Sequence, residues 1–66
     1  MKTKIKNLIK SGELTQQETE IANDLLELFK LSYSISILYS ELREDPDNFS
    51  YTKYDLDQFL FKYELS

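Results

Sequence analysis

Apolar residues recur at helical spacing along most of this chain, and the polar residues between them mark where helices begin and stop. Ile5, Leu8 and Ile9 stand at i, i+3 and i+4 among Lys4, Lys6 and Lys10, which predicts a short helix over 4–10. Ser11-Gly12 ends it, glycine being suited to the left-handed backbone that follows a helix. Thr15-Gln16-Gln17-Glu18 then reads as a capping box: the Thr15 hydroxyl accepts from the backbone N–H of Glu18, whose carboxylate reaches back to the N–H of Thr15. Beyond it, Ile21, Leu25, Leu28, Ser32, Ile35, Tyr39 and Leu42 alternate at spacings of four and three. Ala22, Leu26, Phe29, Tyr33 and Ile37 widen that face, while Glu20, Asp24, Glu27, Lys30 and Glu41 lie opposite. The pattern predicts one long helix over 16–44.

A rival pattern lies inside it. Leu31-Ser32-Tyr33-Ser34-Ile35-Ser36-Ile37 alternates apolar and polar, as a strand does. The flanks keep the helical period and no Gly or Pro punctuates the join, so helix is the preferred reading, with the serines able to bend it. Glu44-Asp45-Pro46-Asp47-Asn48 is a clear stop, because proline cannot continue the hydrogen-bond ladder and moves Asp45 out of helical backbone. Ser50 or Thr52 caps a last helix over 52–64, with Asp55 at the capping-box distance from Thr52. Leu56, Phe59, Leu60 and Tyr63 form its apolar stripe, and Phe61 lies off it. The expected fold is all-α: a single domain, 1–66, of three helices in the order short, long, short.

Length turns this pattern into a statement about assembly. A helix of about 30 residues is roughly 45 Å long, whereas a compact chain of this size has a diameter of roughly 28 Å. Either the long helix breaks or a second chain covers its overhang. A 66-residue chain is also near the size at which one core is marginal. With no cysteine and no histidine, disulfides, thiolate zinc and the commonest transition-metal ligand are excluded. A homodimer or higher oligomer is therefore expected, with Leu25, Leu28, Ser32, Ile35 and Tyr39 near the axis.

Charge and aromatic content shape the functional expectation. The net charge is −4, yet residues 1–10 carry Lys2, Lys4, Lys6 and Lys10 and no acid. Acids scattered among lysines make a poor imitation of a phosphate backbone, and the negative balance argues against nucleic-acid binding. The apolar residues of the first helix offer too little area for membrane attachment. No apolar run approaches a membrane span, and no apolar signal segment follows the basic start, so a cytoplasmic chain is expected. Lysine dominance and sparse alanine and glycine fit a low-GC coding genome.

No serine, lysine or tyrosine has an activating partner in sequence, Glu44–Asn48 lacks the glycine and distal glutamate of a calcium loop, and neither catalysis nor a cofactor is expected. Five tyrosines in so short a chain point instead to protein contacts, since tyrosine is enriched where interfaces bury most energy. Tyr51 and Tyr54, beside Glu44, Asp45 and Asp47, form the expected partner-binding surface. The expected function is that of a small acidic, non-enzymatic regulator, an adaptor or an inhibitor of a larger protein, of the size carried by phages or plasmids. The alternatives are an oligomer that holds a nucleotide or another anion on its N-terminal lysines, and a structural assembly subunit.

Overall fold

Thr15 and Thr52 both nucleate helices as their capping boxes predict. In each, the threonine hydroxyl accepts from the N–H three residues on, and the acid there, Glu18 or Asp55, accepts from the threonine N–H in return. The computed structural model describes residues 1–65 and contains helices α1 (Lys2–Ser11), α2 (Gln16–Lys30), α3 (Ile35–Glu44) and α4 (Lys53–Lys62), with a 3₁₀ turn at Pro46–Asn48. Among the described residues there is no strand. The all-α class therefore stands, with four helices in place of three.

The difference is a break in the long helix. At Leu31–Ser34 the chain leaves α2 through a Schellman turn, with Ser32 in left-handed backbone at φ 61°. Its N–H donates to the carbonyl of Phe29 at 3.1 Å, and the N–H of Tyr33 donates to that of Leu28 at 3.1 Å. These bonds satisfy carbonyls the helix end leaves open. Ser34 then takes the extended conformation that starts α3. Glycine or asparagine usually holds the left-handed position, so a serine there gave no warning. Glu64 (φ 56°) closes α4 the same way, its N–H bonded to Phe61 and that of Leu65 to Leu60.

The break lets α3 fold back, and the resulting body measures 31 × 24 × 18 Å with a radius of gyration of 11.1 Å. At 15 residues, α2 is about 22 Å long and overhangs nothing. The overhang that argued for a second chain is absent. Of the residues expected on a dimer axis, Leu25 and Leu28 are buried in the chain's own core, Ile35 and Tyr39 are half-buried against it, and Ser32 is exposed at the break. The core itself joins Ile5 of α1, Ile21, Ala22 and Leu25 of α2, Leu38 and Leu42 of α3, and Leu56, Phe59 and Leu60 of α4. Each fully buried aliphatic of this kind contributes roughly 1.5–3 kcal/mol. Helix α1 packs on α2, and α4 packs on both α2 and α3.

Candidate functional site

After the proline turn, Phe49–Thr52 forms a non-helical segment that bends at Ser50 and Tyr51, and this segment decides what Tyr51 does. Gln17 donates its side-chain amide to the carbonyl of Ser50 at 3.2 Å, and the Ser50 hydroxyl donates to the Glu20 carboxylate. Tyr51 follows, its ring 4% exposed and packed edge-on to Phe49 at 5.5 Å between centroids. Its hydroxyl donates to Asp24 Oδ2 at 2.6 Å. Burial, the bond to Asp24 and the nearby charges of Asp24, Glu20 and Glu41 all push this phenol far above its ordinary 10.

Tyr51 is thus part of the core, and the partner surface expected around it must be redrawn. It lies ahead of α4, outside the helical stripe, and its ring packs inward on Phe49 while its hydroxyl reaches Asp24 of α2. Tyr54, on α4, is 69% exposed. Glu44, Asp45 and Asp47 are exposed around the proline turn, Asp45 accepting from the side chain of Asn48. The structure ties Tyr51 to Asp24 of α2, not to these acids.

Two more tyrosines are held in the same manner. Tyr39 of α3 donates to Asp57 of α4 at 2.5 Å, and Tyr63 donates to Glu18 of α2 at 3.1 Å. Lysines complete both pairs, Lys53 at 3.3 Å from Asp57 and Lys62 at 3.0 Å from Glu18. Burial, then the bond to Asp57, pushes the Tyr39 phenol up to about 12. The Tyr39 bond holds Asp57 below its ordinary value, and the backbone N–H of Thr15, ahead of Lys62 and Tyr63, does so for Glu18. Each phenol–carboxylate bond joins two elements distant in sequence.

An open trough runs along the outer face of α2. At one end Glu20, Asn23, Asp24, Asn48, Phe49, Ser50 and Tyr51 line a recess of about 360 Å³. It continues past Asp24 and Phe49, which both recesses share, into one of about 230 Å³ between α2 and α3. Leu28, Leu38 and Phe49 line this second part; Glu27 and Glu41 stand with Asp24 around it; Leu31, Tyr33 and Ile37 border its far end. Those last three are 60%, 51% and 37% exposed, a cluster of large apolar side chains left in water by the chain's own fold. No lysine or arginine lines either part, and among the described residues none of the four acids is ion-paired.

The sequence placed these acids on the polar side of the helix. What it did not show is that the turn at Leu31–Ser34 and the loop residue Phe49 would set an apolar surface between them. Glu20, Asp24 and Glu27 share a helical face at i, i+4 and i+7, and that spacing was the available signal.

Among the described residues no group of three or more carboxylates is arranged to hold a metal ion, and no helix is long and apolar enough to cross a membrane. No family model, curated protein or solved structure matches this chain.

Proposed function

We propose that this chain is a small non-enzymatic regulator, an adaptor or an inhibitor, that acts in the cytoplasm by docking on a larger protein through the acidic trough along α2. The observation that carries this reading is the exposed apolar cluster Leu31, Tyr33 and Ile37 at the mouth of a recess whose charged side chains are all acidic. Apolar area supplies the free energy of association, and a rim of one sign steers and selects the partner. The interaction surface thereby moves from Tyr51 to Tyr33, while Tyr54 is exposed on α4 and lines neither recess. The hydroxyls of Tyr39, Tyr51 and Tyr63 are engaged in cross-bracing, which fits a scaffold whose polar groups serve its own stability.

Affinity capture from a lysate of the cell that carries the protein tests the reading. The wild-type chain is expected to retain one protein in stoichiometric amount, and a Tyr33→Ala/Ile37→Ser double variant is expected to lose it while keeping its helical circular dichroism. Equal retention by both, or none by either, refutes it.

A further inference from the structure

Which chemistry fills the trough follows from its shape, its sign and what the rest of the chain already uses. From Glu20 to Leu31 the groove follows eleven residues of α2, Glu20–Lys30, and the Leu31 cap, about 16 Å at helical rise, or about three turns. Its walls are helix and loop, and no strand among the described residues offers an edge to an extended peptide. Anionic lipid and nucleic acid are repelled by Glu20, Asp24, Glu27 and Glu41.

A second copy of this chain is a poor occupant for two reasons. Meeting face to face, the troughs would set each acidic rim against its own duplicate. Offering the lysine-bearing α1 instead would bring charge without anchors, because Ile5 is fully buried and Leu8 and Ile9 already pack on the core. What fits is a helix with free apolar side chains and basic flanks.

We propose that the trough receives a basic amphipathic helix of a partner protein, about three turns long, whose apolar side chains cover Leu31, Tyr33 and Ile37 while its lysines or arginines face Asp24, Glu27 and Glu41. This rests on the docking role proposed above and adds the partner's chemistry. Anchors at i, i+3 or i+4, and i+7 match a groove of this length. So short a helix buries less than the ~800 Å² per partner of a standard interface, so its affinity falls in the micromolar range and weakens with salt.

The test is a display selection on the immobilised wild-type chain, using a library of 14-residue peptides in which charge, apolar spacing and proline content all vary. Enrichment of peptides with net positive charge and helical apolar spacing is expected. The synthetic winner is expected to lose affinity about tenfold or more toward Tyr33→Ala/Ile37→Ser, and about tenfold between 50 and 500 mM salt. Tyr33 is 51% and Ile37 37% exposed, so the variant should melt somewhat below the wild type yet stay folded at the assay temperature, as its circular dichroism at 222 nm reads. Enrichment of acidic, proline-rich or patternless peptides, no enrichment, or winners that bind the double variant equally would each overturn the proposal. The two readings separate cleanly. Lysate capture that depends on Tyr33 and Ile37, with no basic helix selected, keeps the regulator and removes the helix; selection without capture does the reverse.

Discussion

Tyr51→Phe and Tyr51→Ala, set beside Tyr54→Ala, measure whether the bent segment before α4 belongs to the core. Phenylalanine keeps the ring against Phe49 and deletes only the hydroxyl that donates to Asp24 at 2.6 Å. A hydrogen bond to a charged group contributes about 1.5–3 kcal/mol. Asp24 is only half-buried and regains water, so the expected loss is about 1–2 kcal/mol. At about 4–8 °C per kcal/mol for a domain of this size, the melting temperature falls by about 5–15 °C. Alanine removes the ring as well, for a further loss of about 3–5 kcal/mol. A chain of this length has a total stability of roughly 3–10 kcal/mol, so Tyr51→Ala removes about half of it or more and unfolds the chain unless the wild type stands at the upper end of that range. Tyr54→Ala, on an exposed ring, stays within about 0.5 kcal/mol of wild type. Urea and thermal melts followed by circular dichroism at 222 nm give all three values. A Tyr51→Phe variant that melts with the wild type, or a Tyr54→Ala variant as damaged as Tyr51→Ala, would falsify the placement of Tyr51.

Stability should hold below pH 10 and fall as pH rises from about 10 through 12. Tyr39 and Tyr51 keep their protons in the folded state above the ordinary phenol value, and the unfolded chain releases them first; a urea-midpoint series against pH reads this directly. On the acid side the sign reverses. Glu18 and Asp57 are held below their ordinary 4.5 and 3.8, so their contribution is present above those values and is lost as pH falls through the lowered ones. Ser32→Gly and Glu64→Gly should each raise stability by up to about 1 kcal/mol, since relief of left-handed backbone worth about 1–2 kcal/mol exceeds the added chain entropy of glycine. A drop in melting temperature for both would contradict the Schellman turns. Thr15→Ala and Thr52→Ala should each lower stability by about 1 kcal/mol, checked by the same melts, through loss of the cap.

Where a residue's local chemistry alone fixes the backbone, the sequence was readable. Thr15 with Glu18, Thr52 with Asp55, Gly12 after α1 and Pro46 after α3 all do what their types predict. The break at Leu31–Ser34 was not, because apolar spacing stays in phase from Leu28 to Ile35 and the left-handed residue is a serine. The alternation over 31–37 did register a departure from helical period, yet it reflected a tight turn between two helices and not a strand. Tyr51 was misplaced for a related reason: periodicity assigns faces only within an element, and this residue precedes α4. The trough was half legible. Its acids follow from the polar face of α2, but its apolar surface depends on Phe49 and on the fold-back of α3, neither of which is a local property.

The three phenol–carboxylate braces also give the protein an optical signature. It has no tryptophan, so its ultraviolet emission comes from tyrosine alone. An excited phenol is a far stronger acid than one in the ground state and passes its proton to a hydrogen-bonded carboxylate, which quenches the emission. Tyr39, Tyr51 and Tyr63 should therefore be dim in the folded chain, with the light coming mainly from exposed Tyr33 and Tyr54, as tyrosine emission before and after unfolding in urea checks. Unfolding brightens the protein as the braces part. Tyr33 stands at the mouth of the trough, so a peptide without tyrosine or tryptophan that binds as proposed should change the emission without a label.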